Sequence, residues 1–440
     1  MKVIIPYGKS EKEVILDDRL NIRVLRKSKI EGLKNVKDVI KKSLVSPIGT
    51  PSLYSIAKGK KNCCIVISDT TRPVPNYLLL PPIINTLKLA GMKEESITIL
   101  IANGSHNPVP EDLFEELVGE EVLKYKVNII NHDAYDENHL KNIGKVSLDC
   151  PVIINKKYLE SDLKICTGLI EPHFMAGYSG GRKSICPGIV GIETLKVFHG
   201  VKAMGDPNSK SCQLENNPVD KIAKEVALMT GCDFILNVSL NEEKEITGVF
   251  SGDIFKAHQL GCKQVVNGSI VEIEEPVDIV ITSNTGYPLD QNFYQTVKGL
   301  VEASQILKPS GVIIMVSECK AGVGKEEFKE LLLELKKVGI NQFLKNHSSS
   351  GTFQSDQWEV QKLIEVLKKT NNILLFSSLE EEDYKYTFAN NIKTLEEGLE
   401  RALKLKRDNA KIAVIPEGPY VVGMIKNQKG DTSNGNMRTN

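Results

Sequence analysis

The sequence predicts an α/β protein of two domains with an active-site cleft between them. Three observations carry that expectation. The chain has 440 residues, more than one typical domain, so two or three hydrophobic cores are expected. Short runs rich in β-branched residues recur along it, each followed by a Gly/Asn/Asp/Pro-rich loop and then by helical periodicity. Polar, chemistry-bearing residues cluster just after those runs, where open α/β sheets keep their ligands.

Taken in order, the apolar runs predict strands at 63–68, 97–101, 127–130, 163–167 and 233–238. A second set begins near Val277, with strands at 278–282, 311–316, 372–376 and 411–415 and amphipathic helices at 326–338 and 358–368. The boundary falls near residue 270. Residues 265–276, with Asn267-Gly268 and the acidic Glu272, Glu274 and Glu275, read as the crossover between domains 1–270 and 271–417. Segment 418–440 is expected to pack back on the first domain, and the part after Ile425, with almost no apolar content, to be loosely attached.

Lys plus Arg and Asp plus Glu both number 56, so no global field favours nucleic acid or an anionic membrane, and neither is expected as a partner. The apolar run at 77–84 is short and interrupted by Pro81 and Pro82, which argues against a membrane span. The opening MKVIIPYGKSEKEV has no signal-peptide pattern, so a cytoplasmic location is expected. The nine cysteines form no CxxC pair, and Cys63, Cys64 and Cys166 lie in strand-like runs, as reduced core thiols do.

The densest chemistry lies between Glu171 and Gly200, EPHFMAGYSGGRKSICPGIVGIETLKVFHG. Within it, Ser179, Gly180 and Gly181 resemble an anion cradle, since glycines let backbone N–H groups approach a phosphate. The run is not a Walker A loop, because Arg182 separates Gly181 from Lys183; a tight turn with a solvated Arg-Lys pair explains it equally well. His106 follows the second strand and His173 the fourth, while Asp69 and Arg72 follow the first; imidazoles at strand ends suit general acid/base work. His132, His139, His258 and His347 lack such company and read as ordinary histidines. His199 ends a short helical stretch at 192–198, and one histidine is a weak metal signal, so any metal there would arrive with ligands of its own. In the second half, Tyr294, Gln295 and Lys298 open a helix, with Tyr294 and Lys298 four apart on one face. Trp358, the sole tryptophan, suits either core packing or a pocket wall.

Together these motifs resemble the nickel-dependent lactate racemase family, and the resemblance runs from the DTTRP loop to Trp358. It implies a nickel-pincer nucleotide, the nickel complex of pyridinium-3-thioamide-5-thiocarboxylic acid mononucleotide, attached covalently at Lys183 of GGRKS. It further implies His199 as the nickel ligand, with the cofactor's two sulfurs and one carbon completing the set. His106 of NGSHNP and His173 match the family's catalytic pair, and Asp69 its acidic position beside the cofactor. Arg72, Tyr294, Gln295, Lys298 and Trp358 match its substrate-side residues. On this resemblance residues 1–270 form the cofactor-binding domain and 271–417 a Rossmann-like one, and Cys186 is a small neighbour of the cofactor lysine.

The implied activity is racemisation or epimerisation of a 2-hydroxy acid, lactate or a relative, by reversible hydride transfer, with cofactor-maturation enzymes as partners. Inverting such a centre needs a base for each enantiomer, the roles of His106 and His173. Arg72 and Lys298 would clamp the carboxylate. Two other readings stand beside it: a non-catalytic carrier of the nickel cofactor, and a nucleotide-dependent kinase or ligase suggested by GYSGGRKS and by Gly322-Val-Gly-Lys325.

Overall fold

The strands Cys63–Ser68 and Ile97–Ala102 are buried along all but their last residue, and Leu163–Leu169 along all but one. Near-continuous burial marks the inner strands of a parallel sheet covered on both faces. In the computed structural model, which describes residues 1–406 and 409–426, these three strands lie side by side in one six-stranded sheet. Its order is Ile246–Gly252, Phe234–Leu240, Leu163–Leu169, Cys63–Ser68, Ile97–Ala102, Asn128–Asn131, all parallel except the first. The chain builds outward from Cys63–Ser68 on one side, then returns to its other side with Leu163–Leu169. That reversal is a topological switch point, where the loops leaving the C-terminal strand ends part and open a crevice.

A second six-stranded sheet, wholly parallel, runs Asn390–Asn391, Asn372–Phe376, Leu307–Val316, Val277–Ser283, Lys411–Ile415, Asn21–Val24. The chain divides into two compact units: residues Lys29–Gly268, central in sequence, and Met1–Ser28 with the residues from Ser269 onward, the terminal unit. The fold class is therefore α/β with parallel sheets, one in each unit.

Three expectations give way here. The first 28 residues do not join the unit that follows them. Val3, Ile5 and Tyr7 alternate along Lys2–Tyr7, which forms a hairpin with Ser10–Ile15, and they enter the apolar core of the second sheet. Asn21–Val24 then extends that sheet. Residues 265–276 are not an irregular crossover: the helix Lys256–Ser269 runs through Asn267-Gly268, and Ile270–Ile273 pairs in parallel with Val422–Ile425. The same pairing keeps residues 422–426 with the terminal unit instead of returning them to residues 29–268, and Lys426 adds an ion pair to Glu274. The expectation for the tail from residue 427 lies outside the described residues.

Elsewhere the helix expected at 326–338 continues to Asn346 through a break at Gly339, whose φ of 76° leaves helical geometry. All nine cysteines are free thiols. No helix among the described residues is long and apolar enough to cross a membrane.

Candidate active site

Asp69 is the first residue past Cys63–Ser68, and its carboxylate is almost wholly buried. One oxygen accepts from the Thr71 hydroxyl (2.5 Å) and amide (3.1 Å); the other meets His106 Nδ1 at 2.7 Å. Burial opposes ionisation of Asp69, but the His106 bond and charge together with the two Thr71 donors outweigh it, so its acid lies below the usual range. An ionised Asp69 accepts only, so His106 Nδ1 carries the proton and its Nε2 presents a lone pair. The His106 side chain is more than half exposed, consistent with a group that meets a small molecule.

Beyond Leu163–Leu169 the chain makes a small hairpin, Pro172–His173 against Gly177–Tyr178. It holds His173 buried beside Phe174, with ring centroids 5.3 Å apart. His173 Nδ1 accepts long bonds (3.4 Å) from the amides of Met175 and Ala176, which leaves Nε2 as the proton-bearing nitrogen. That Nε2 lies 2.7 Å from Lys183 Nζ. Burial, assisted by the charges of Arg72 and Arg182, holds the Lys183 amine well below the ordinary lysine range. That shift favours the neutral amine, the form that can accept the His173 proton bond and act as a nucleophile.

The turn Gly181–Ser184 gives its two consecutive basic residues different partners. Arg182 points inward, 3% exposed, to a buried ion pair with Asp220 and a 3.0 Å bond to His258 Nδ1. His258 Nε2 in turn donates to the carbonyl of Ser179. Gly180 and Gly181 take φ of 72° and 53°; a Cβ on the first would meet Leu169 O and Asn237 Oδ1 at 2.9 Å, and one on the second would press on His258 at 2.7 Å. These contacts correct the phosphate-cradle reading for two of its members: the Gly181 N–H donates to Asn237 Oδ1 (2.7 Å), and the Ser179 hydroxyl donates to Leu169 O (2.7 Å) while accepting from the Glu171 amide. Both groups fasten the loop, and its product is the placement of Lys183.

His199 caps the C-terminal end of Ile192–Phe198 and stands edge-on to Phe198. Burial, then the charges of Lys183 and His106, lowers its acid to about 3, so the imidazole is neutral, the form that binds a metal. Among the described residues no three His, Cys, Asp or Glu side chains could together hold a metal ion. A metal at His199 would therefore need ligands from a group carried nearby, and the neutral Lys183 amine is a chemically suitable anchor for one. Arg72 completes this group through Glu171, 3.4 Å away.

Asp69, Arg72, His106, His173, Lys183 and His199 are thus joined by contacts or mutual charge around the switch point of the central unit's sheet. Residue reasoning passed over Glu171, Thr71, Asn237, Asp220 and the bonds of His258, which act on neighbours and carry no motif of their own. His132 is buried between Val190 O and Asn155, His139 pairs with Asp136 at the surface, and His347 with Glu334.

The remaining expected residues lie in the terminal unit. Tyr294, Gln295 and Lys298 occupy the first turns of Phe293–Gln305; Lys298 Nζ donates to Gln295 Oε1 (2.5 Å), and Trp358 Nε1 donates to Tyr294 Oη (3.0 Å). The Gly322-Val-Gly-Lys325 segment is no phosphate loop: the carbonyls of Gly322 and Val323 accept from the amides of Phe293 and Tyr294 and so cap this helix.

Residues 7–212 match the family model of the lactate racemase N-terminal domain, and residues 273–423 that of the lactate racemase C-terminal domain. A lactate racemase of Thermoanaerobacterium thermosaccharolyticum is 37% identical over 425 residues, covering 95% of this chain and 98% of the relative. One of Lactiplantibacillus plantarum is 35% identical over 88% of this chain and 90% of its own. The solved apoprotein of the Thermoanaerobacterium thermosaccharolyticum lactate racemase superposes with a TM-score of 0.87 over 96% of this chain and all of its own. A Thermotoga maritima protein at 18% identity and a TM-score of 0.67 shares the fold.

Proposed function

The chain belongs to the lactate racemase family of isomerases, and we propose that it racemises lactate or a closely related 2-hydroxy acid, with His106 and His173 as the acid/base pair. The observation that carries this reading is the pair of histidines in the segments that follow the two strands flanking Cys63–Ser68, each fixed by a different partner: His106 by Asp69, His173 by its hairpin amides. Inversion at C2 passes through a planar 2-keto acid, and the differently oriented hydroxyls of the two enantiomers need separate proton acceptors, which two independently held imidazoles supply.

A nickel-pincer nucleotide anchored at Lys183 and ligated by His199 would supply, when bound, a reversible acceptor for the C2 hydride. The chain's own residues do the rest. His106 Nε2, with Asp69 behind its Nδ1–H, takes the hydroxyl proton of one enantiomer and returns it in reverse; the imidazolium so formed faces a buried carboxylate. His173 is assigned the same role for the other enantiomer, which requires its ring proton to move from Nε2 to Nδ1 as the two long amide bonds open. Arg72, held by Glu171, binds the substrate carboxylate, and Lys298 is assigned to the same group, so the planar acid stays anchored while it turns. Tyr294, Gln295 and Trp358 line the substrate side, maturation enzymes load the cofactor, and the cytoplasm is the proposed location.

Lactate deuterated at C2 tests the reading. Racemisation by cofactor-loaded protein in ordinary water retains the label, as proton NMR of the product shows. Complete loss of deuterium in a single turnover means that a base strips the C2 proton, and the hydride route fails.

A further inference from the structure

His106 lies inside a loop whose two ends are held by one side chain. Ile97–Ala102 and Asn128–Asn131 are neighbours in the central unit's sheet, with Ile101 opposite Asn131, so Asn103 leaves one strand beside the last residue of the other. The Asn131 carboxamide works there through both of its ends. Its Oδ1 accepts from Asn103 Nδ2 (2.8 Å) and from the Val109 amide (2.8 Å), and its Nδ2 donates to the Val109 carbonyl (3.0 Å). A side chain that pairs with both the N–H and the C=O of one residue fixes that residue's orientation as well as its place. The Val109 side chain is buried in the apolar core of the same unit, which anchors this end of the loop a second time.

Between the two pins the His106 amide donates to the Asn103 carbonyl (2.9 Å), closing a turn in which Gly104 takes a φ of 56°. The Gly104 amide donates to the carbonyl of Gly188 (2.9 Å), on the segment that follows Lys183. Asn103 Nδ2 also donates to the His132 carbonyl (3.0 Å), and the His132 ring meets the Val190 carbonyl through Nε2 (3.0 Å). The loop that carries His106 is thereby keyed to the segment that carries the cofactor lysine. The His106 ring itself is more than half exposed, so packing does little to set its angle. Its 2.7 Å bond to Asp69 does, and that bond forms only where the loop holds the ring.

We propose that Asn131 is a positioning residue for His106: by fixing both ends of the 103–109 loop it keeps the imidazole within reach of Asp69, with the ring proton on Nδ1 and the basic lone pair on Nε2. This rests on the reading of His106 as one of the two proton acceptors.

The test uses Asn131→Ala and the isosteric Asn131→Asp, whose carboxylate can accept but cannot donate to the Val109 carbonyl. The ring nitrogen resonances of His106, in protein labelled with nitrogen-15 at histidine, are identified by their absence from His106→Gln. At alkaline pH, where imidazoles are neutral, the parent shows the proton on Nδ1, and both Asn131 variants shift toward the proton on Nε2. In cofactor-loaded protein kcat for lactate falls about tenfold or more, with KM within about twofold, because Arg72 and not His106 is assigned to the carboxylate. A folded Asn131→Ala protein whose His106 ring is unchanged from the parent's overturns the proposal, whatever its activity. So does a Val109 amide that, in the parent, exchanges with deuterium as fast as in an unfolded peptide, a measurement that holds even if neither variant folds. A shifted ring proton with unaltered kcat instead removes His106 as a base and leaves its positioning by Asn131 standing.

Discussion

Replacing Asp69 by Asn tests the role proposed for His106 most cleanly, because it leaves the shape of the loop and removes one charge. In the parent, the 2.7 Å contact to His106 Nδ1 directs the imidazole lone pair outward through Nε2. An asparagine can turn its NH₂ toward Nδ1, which places the ring proton on Nε2 and disables it as a base. A charge-assisted hydrogen bond is worth about 1.5–3 kcal/mol. Asp69 is buried, but the His106 side chain is 59% exposed, and solvent screening of that partner puts the loss in the lower half, about 1.5–2 kcal/mol. The corresponding fall in kcat/KM is roughly ten- to thirtyfold.

The assay is lactate racemisation followed by circular dichroism from each pure enantiomer. A racemase has an equilibrium constant of one, so kcat/KM falls by the same factor in both directions even though His106 serves one enantiomer; unequal factors would expose an assay fault. The Thr71 contacts remain available to the amide oxygen, and a thermal melt within a few degrees of the parent confirms the fold. A folded Asp69→Asn protein with kcat/KM within twofold of the parent refutes the orienting role.

In cofactor-free protein at pH 7, Lys183 is the lysine first modified by a limiting amine-acylating reagent, because its acid is pushed well below the ordinary lysine range; peptide mass spectrometry locates the adduct, and preferential labelling of surface lysines would contradict that. Mature parent protein carries an added covalent mass that Lys183→Ala lacks. His199→Ala lowers nickel content and racemisation together while His139→Ala changes neither, as elemental analysis per chain shows. Acid weakens the fold: His132 at about 4 and His258 at about 3 are depressed below the unfolded value, so their stabilising effect is full above that value and is lost as pH falls from about 6.5 toward those values. Between pH 7 and 5 each costs roughly 2 kcal/mol, visible as a lower urea midpoint, and equal midpoints at the two pH values would contradict the assignment.

Much of the fold was legible because inner parallel strands announce themselves. Cys63–Ser68, Asn372–Phe376 and Lys411–Ile415 are apolar runs bounded by turn residues, and their ends follow from composition. The edge elements were not. Asn21–Val24 and Ile270–Ile273 are four residues long with mixed polarity, and Val422–Ile425 becomes a strand only through a partner some 150 positions away. The assignment of residues 1–28 to the terminal unit likewise depends on pairing with Lys411–Ile415, which no local pattern encodes. In the site, side chains that act in loops after strands could be picked out by position, whereas Asn237 and Asp220 sit on a strand and a helix of ordinary composition and matter only through what they touch.

That difference explains how one short turn carries two charges of opposite fate. Arg182 and Lys183 are neighbours, and alone each would be drawn to water. Asp220 and His258 hold Arg182 inside, and the Arg182 charge then bears on both Lys183 and His258, helping to keep the amine and the imidazole neutral. A buried ion pair is poor evidence for net stability; here its position accounts for it better, since it fixes the glycine turn and tunes the lysine that the turn presents. Burial lowers the Lys183 amine first, then the charge of Arg72, and the inward-facing Arg182 adds to both, so part of the state of Lys183 comes from a residue that never meets the substrate.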